Sequence, residues 1–344
     1  MNPTTSTIIL SSLATGTIIT ASSFHWFMAW VGLEMNTLAI IPIISKQHHP
    51  RATEAATKYF LTQAAASAMI LFSSMINAWQ SGMWDITQPM NPTSSVLLTA
   101  ALTMKLGLAP AHFWLPEVLQ GTTMPTALII STWQKLAPMA LIYQTTNNLS
   151  PTTLILVGVL STCVGGWGGL NQTQTRKLMA YSSIAHLGWM MTISPMLNNI
   201  MLLNLMIYTL MTTSMFMMLI LTKSKTLQNM ATTWTMSPAM TTTALLTLLS
   251  LGGLPPLSGF VPKWLILNEL IIQNLVLAST IMAMSTLLSL FFYLRLTYIT
   301  ALTLAPNTQN TAYKWRFTLT PPHLLTTTMP MALLTLPMTP MLIQ

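Results

Sequence analysis

Three lysines, a glutamate and a histidine lie where an apolar chain can least accommodate them. Lys105, Lys135, Lys263 and Glu34 each fall inside a run of apolar residues, and His186 sits in another, "YSSIAHLGWM". A lysine at the centre of a bilayer costs about 2.5–3.5 kcal/mol on insertion scales, so ionisable groups at that depth mark ion or proton routes. Burial disfavours the charged form of either residue type, and a neighbouring opposite charge restores it. Such a group gives up and regains a proton when its partner moves. Arginine cannot, because it stays protonated. All four arginines fall at the ends of apolar runs or between them, so the deep cations are all lysine. Histidine relays protons between such sites. The competing reading is plainer: lysines that snorkel or hold static ion pairs, and a His186 that makes only a structural hydrogen bond.

Glu34, in "WVGLEMNTLAI", has no cation near it in sequence, so its partner comes from another helix, with Lys105 the first candidate. Three further residues are weaker candidates. His112 follows a Pro-containing break, Glu117 closes the same stretch, and Glu269 lies near the end of a later run, where it could serve as an exit group. For Glu117, as for Glu54, a solvated end charge is the favoured reading. Lys46 and Lys58 lie near the ends of apolar runs and read as snorkelling or static pairs.

These residues need elements that hold them at depth. The apolar runs recur from end to end at the length a spanning helix requires, about 17–25 residues. They predict an all-α polytopic membrane protein with about 11 transmembrane helices: 3–21, 24–44, 58–80, 93–112, 125–145, 152–170, 178–196, 199–221, 239–271, 273–297 and 323–343. The ninth run is too long and too rich in Pro and Gly for one straight helix, so it reads as two half-helices around "GGLPPLSG". "GLAPAHFWLPE" (107–117) aligns without gaps on "GLPPLSGFVPK" (253–263), 146 residues further on. The copies fall on the fourth and ninth runs, an odd number of spans apart, which inverts one relative to the other. Paired, Pro- and Gly-interrupted spans in inverted repeats point to a transport site. Freed backbone groups are tolerated at that depth only where protein or a wet cavity satisfies them. We therefore expect one transmembrane domain over 1–344: two inverted five-helix repeats with discontinuous helices, about 1–148 and 149–298, then a C-terminal loop and helix over 299–344.

Composition agrees with that picture. Of 344 residues 52% are hydrophobic and only 5% charged, where soluble domains run near 25% charged. The net charge of +8 forms no basic patch, so nucleic acid is not an expected partner. Lys46, Arg51, Lys58, Arg176, Lys177, Lys223, Lys225, Arg295, Lys314 and Arg316 all fall on one side, with the N-terminus. That asymmetry makes the side cytoplasmic or matrix, and the three basic residues it cannot assign to a loop are Lys105, Lys135 and Lys263. Several chemistries are not expected. Cys163 is the single cysteine, and no Cys or His cluster has metal, haem or iron–sulfur spacing. "CVGGWGGL" (163–170) follows no strand and reads as close helix packing, and nothing could bind NADH. "NQT" at 171–173 and "NLS" at 148–150 are weak glycosylation patterns. The start, "MNPTTSTIIL", has no basic n-region or small-residue cleavage site, so no removable signal peptide is expected.

Three motifs together, "MKLGLAPAHFWLPEV", "SSIAHLGWM" and "LSLGGLPPLSGFVPKW", resemble the antiporter-like membrane subunits of respiratory complex I, NADH:ubiquinone oxidoreductase. The likeness covers essentially the whole chain, and the span count matches the eleven-helix animal form. The resemblance implies a proton-translocating subunit of an enzyme, with no redox centre in this chain. NADH, FMN, iron–sulfur clusters and ubiquinone would belong to other subunits. It implies that Glu34 and Lys105 form the pair of a first half-channel and that Lys135 links the pair to a central axis. His186 would lie on that axis, and Lys263 would be the terminal lysine on the second broken helix. Implied partners are other complex I subunits, antiporter-like and small, and lipids such as cardiolipin. The implied location is the mitochondrial inner membrane, with the N-terminus in the matrix and the C-terminus on the intermembrane-space side. The alternative is a stand-alone cation/proton antiporter, whose fold such subunits share. A scaffold that only fills the membrane arm is a third reading.

Overall fold

The computed structural model describes residues 2–302 and 323–343. Lys314 and Arg316, two of the ten basic residues assigned to one side, lie outside the described residues. Among the described residues the elements are helices, and six of these are long and apolar enough to cross a membrane. The chain divides into two compact units, Met1–Ser161 with Ser194–Asn198, and Thr162–Ile193 with Asn199–Gln344.

The first unit begins with α1 (Pro3–Ser22) and α2 (Trp26–Ile44), which pack backbone to backbone. A Cβ at Gly16 would stand 2.5 Å from Asn36 Oδ1, and one at Gly32 would stand 2.9 Å from the Gly16 carbonyl. Without a hydrophobic drive between helices in lipid, small residues that allow this approach set the pairing. α3 (Pro50–Ser81) has 32 residues. At 1.5 Å per residue it is about 48 Å long, more than the hydrocarbon layer needs. Its polar first turns, with Arg51, Glu54 and Lys58, are the excess. Pro50 opens it at a position whose N–H has no helical partner, and the His49 ring accepts from the Arg51 N–H. Hydroxyls in these helices bond carbonyls three or four residues back, as Thr20 does to Thr17 and Thr103 to Ala100. A threonine-rich chain thus keeps most of its hydroxyls satisfied in lipid.

α4 (Pro92–Leu106) stops short of the 93–112 expected for the fourth run. Gly107 adopts φ 76°, its N–H bonds Thr103 and Met104 carbonyls, and the Leu108 N–H bonds Thr103 as well. That left-handed cap ends a helix cleanly and favours glycine. The chain then runs unwound to α5 (Trp114–Gly121). The fifth run, expected as one helix over 125–145, is also broken. α6 (Met124–Ser131) ends where Thr132 leaves helical geometry at φ −113°, ψ −69°, and α7 (Trp133–Thr145) follows. The Thr132 hydroxyl donates to the Leu128 carbonyl, a local bond that bends helices. Pro138 inside α7 then leaves the Gln134 carbonyl without its usual donor. Lys135 therefore lies in the first turn of a new helix.

α8 (Pro151–Gly169) leads into the second unit, whose most enclosed helix is α9 (Thr175–Ile193). The Gly-rich stretch serves close packing there. A Cβ at Gly165 would meet the Ala185 backbone at 2.7 Å, and ones at Gly168 and Gly169 would strike Tyr181 and Phe292. After α10 (Asn198–Thr222) and the short α11 (Leu227–Ala231) and α12 (Thr233–Met236) comes the second break. α13 (Pro238–Gly252) ends at Gly253, φ 81°, whose N–H bonds Leu249 and Ser250 carbonyls while Leu254 N–H bonds Leu249. Shifted by 146 residues, these are the same donors and acceptors as at Gly107. α14 (Phe260–Ile272) completes the two half-helices expected over 239–271, and α15 (Val276–Ala301) follows. The last run, expected as one span over 323–343, is cut. α16 (His323–Leu334) and α17 (Thr339–Ile343) flank a turn at Leu336–Met338, where Pro337 cannot continue a helix. Leu325 and Met329 of α16 bury against Met218 and Ala244. Ser258, inside the second break, donates to the Ala332 carbonyl, one of the acceptors that the end of α16 leaves over.

Candidate functional site

Both breaks free carbonyls at the C-terminal end of a half-helix, and both meet side chains from the half-helix beyond. At the first, Trp114 Nε1 donates to the Met104 carbonyl at 3.1 Å. At the second, Lys263 reaches back and its Nζ donates to the Gly252 and Leu251 carbonyls at 2.9 and 3.2 Å. A cation there also meets the negative end of the helix dipole. Lys105 occupies the equivalent end from within, in the last turn of α4. Sequence alone shows one lysine before its break and the other after. In space each belongs to the carbonyl end of the preceding half-helix.

Lys105, Lys135 and Lys263 are 6%, 4% and 9% exposed, so none reaches lipid headgroups or bulk water. That excludes snorkelling for all three. Lys105 and Lys135 line one cavity in the first unit, of about 10 Å³, room for roughly one water. Asn36, Tyr59, Gln63 and Gln134 share its wall, and the Gln63 amide donates to the Lys105 carbonyl. Lys105 Nζ is buried with no hydrogen-bond partner. Glu34, half-buried on α2, is close enough for its charge to act on Lys105 and Tyr59, yet no ion pair joins it to Lys105. Its Oε2 is likewise buried and unpartnered.

In the second unit His186 is buried on α9, its ring tilted against that of Tyr208 at 5.5 Å between centroids. The adjacent Ser182 and Ser183 hydroxyls donate to the carbonyls of Met179 and Ala180. Glu269 is half-buried on α14 and forms no ion pair among the described residues.

His112 and Glu117 stand apart from the first cavity. His112 is buried in the unwound segment, its Nδ1–H donating to the Pro110 carbonyl at 3.1 Å. Glu117 faces outward and meets Lys58 Nζ at 2.6 Å, where Glu54 binds the same ammonium at 2.6 Å. The three side chains are 51%, 41% and 60% exposed, so water screens the cluster. Sequence reading missed the Glu117–Lys58 contact, because the partners are 59 residues apart. It also missed Tyr59, Gln63, Gln134 and Tyr208, which carry no charge to mark them. An exposed pair of this kind should matter little. Glu117→Gln in the assembled enzyme should leave turnover within about twofold of native, and a tenfold loss would put Glu117 on the path instead.

A helical membrane domain with two matching helix breaks and a buried lysine at each is the architecture of an antiporter-type transport subunit. The chain belongs to the family described as NADH:quinone oxidoreductase/Mrp antiporter, transmembrane, whose model matches residues 23–289, and residues 290–343 match a second model, NADH dehydrogenase subunit 2 C-terminus. Its relatives include proteins named NADH-ubiquinone oxidoreductase chain 2. The one from Aquarana catesbeiana is 55% identical over 100% of this chain and 99% of that protein. The one from Varanus timorensis is 62% identical over 69% of each. Among solved structures, a chain of respiratory complex I from Thermus thermophilus superposes with TM-score 0.82 at 27% identity, covering 96% of this chain and 78% of that one. A chain of the Mrp complex from Dietzia sp. DQ12-45-1b shares the fold at TM-score 0.84 and 14% identity, over 97% of this chain and 75% of that one. The protein is a membrane-arm subunit of NADH:quinone oxidoreductase, and its partners are the other subunits of that complex.

Proposed function

We propose that this subunit itself moves protons, with Glu34, Lys105, Lys135, His186 and Lys263 as the groups that carry or control them. The observation that carries the reading is the shared cavity of Lys105 and Lys135 beside a helix break. Two buried amines on one cavity with polar groups in its wall exchange a proton once a nearby charge shifts. Glu34 supplies that charge. Drawn toward Lys105, its carboxylate stabilises the ammonium; drawn away, it leaves a buried cation that sheds its proton toward Lys135. His186 and Lys263 take the later steps, with Glu269 as an exit group and His112 as a link to matrix water. Glu117 is a rim charge only. Carrying one charge against the membrane potential takes about 2.3 kcal/mol per 100 mV, within reach of moving one carboxylate in a low-dielectric interior.

The wider setting follows from this reading. The chain crosses the mitochondrial inner membrane about 11 times, as two inverted repeats and a C-terminal helix. Its N-terminus lies in the matrix and its C-terminus on the intermembrane-space side. NADH, FMN, iron–sulfur clusters and ubiquinone are bound by other subunits, whose redox chemistry drives the shift at Glu34. Antiporter-like and small membrane subunits flank the chain, with cardiolipin among the surrounding lipids. Glu34→Gln keeps the shape and removes the charge. In the assembled enzyme it should lower NADH:ubiquinone turnover about fivefold with complex content unchanged. Native turnover would sink the role given to Glu34.

A further inference from the structure

The cavity between Lys105 and Lys135 carries neutral polar groups whose arrangement the lysines alone do not explain. Tyr59, on α3, is 2% exposed, and its hydroxyl donates to Gln134 Oε1 at 3.4 Å. Its ring is fixed edge-on by Trp114, with centroids 5.7 Å apart. Gln134, on α7 beside Lys135, donates its amide to the Asn36 carbonyl at 3.2 Å. Three helices are thus tied at one point in the cavity wall. Asn36 is itself buried, and both polar atoms of its side chain lack hydrogen-bond partners, as does Lys105 Nζ.

A buried polar atom left without a partner is costly. A polar cavity with room for one water and two to four groups around it is the setting in which an ordered water is held. The transfer between the lysines needs such a carrier. An ammonium only donates, so the acceptor next to it must be able to pass a proton on. Water does both. Lys105 Nζ gives a proton to the water oxygen as the water gives one of its own to the neutral Lys135 amine. One proton moves and the water is regenerated. For the water to work in this sense its lone pair must face Lys105, which requires fixed neighbours.

We infer that Tyr59 and Gln134 are positioning residues that hold and orient this water between Lys105 and Lys135, an inference that rests on those lysines carrying the proton. The test places Tyr59→Phe and Gln134→Met, singly and together, in the assembled complex beside Lys105→Met. Phenylalanine keeps the contact with Trp114, and methionine matches glutamine in length. Each single variant should lower turnover about tenfold and raise the solvent deuterium isotope effect, and the double variant should be no slower than the worse single. Native turnover in both singles beside a slow Lys105→Met overturns the inference and leaves the function standing. Native turnover in Lys105→Met as well overturns both. A double variant slowed by the product of the single effects means independent packing losses and also overturns it. Should the variants not assemble, a high-resolution map of the native complex decides. Water density within hydrogen-bond distance of Lys105 Nζ and of Tyr59 Oη or the Gln134 amide supports the inference, and a cavity without it contradicts it.

Discussion

A complex carrying Lys105→Met should assemble to its normal level and turn over NADH at about a tenth of the native rate or less, because a positioned proton-transfer group contributes about 10²–10⁴ to the step it serves. The two halves of that expectation have separate causes. Lys105 Nζ is buried and makes no hydrogen bond, so removing it breaks none. Methionine is similar in length and apolar, and exchanging a buried charge for a well-packed hydrophobic group is often neutral or stabilising. Folding therefore has little to lose. The proposed proton path loses the group that shares a cavity with Lys135 and feels the charge of Glu34. Complex content from native gels, set against NADH:ubiquinone turnover in the same membranes, separates the two. Low content with normal turnover per complex would reverse the argument and make Lys105 structural.

Lys263→Met should fail differently, losing stability as well as rate. Its Nζ satisfies the Leu251 and Gly252 carbonyls at the end of α13. Methionine leaves both buried and unpaired, at about 1–3 kcal/mol each. The enzyme should dissociate or aggregate at a lower temperature than the Lys105→Met form, and turn over no faster. Gly253→Ala provides the complement, since it retains the lysine. Its Cβ would stand 2.8 Å from Lys263 Cδ and 2.9 Å from Nζ, at a φ of +81° that already disfavours a side chain. Turnover should fall because the ammonium is displaced, with the charge still present. Thermal stability equal to native in Lys263→Met would show that the carbonyls are satisfied without the lysine. Native turnover in both variants would take Lys263 off the path.

What could be read from the sequence was whatever carried a large local signal. Lys105, Lys135 and Lys263 stood out because a charge in an apolar run is costly wherever the fold puts it. The cap glycines 107 and 253 stood out through the 146-residue repeat, and the Gly-rich stretch at 163–170 through its lack of a strand. The break at Thr132 did not, because no Gly or Pro stands at that position. Tyr59, Gln134 and Asn36 carry no charge among many neutral polar residues, and only packing brings α2, α3 and α7 to one point. The same holds for the contact of Glu117 with Lys58, whose partners lie 59 residues apart. The C-terminal run is apolar enough to suggest one helix, yet it is cut at Pro337, while Pro330 sits within a continuous helix.

The central claim is that protons pass through this subunit by way of its buried lysines. The most direct measurement is the number of protons moved per electron pair by the purified complex in sealed proteoliposomes, native against Lys105→Met, with turnover recorded in the same vesicles. The account predicts that the variant moves protons at about a tenth of the native rate or less, either because turnover falls or because fewer protons move per electron pair. Native turnover with a native proton-to-electron ratio would contradict it and leave the chain a scaffold of the membrane arm.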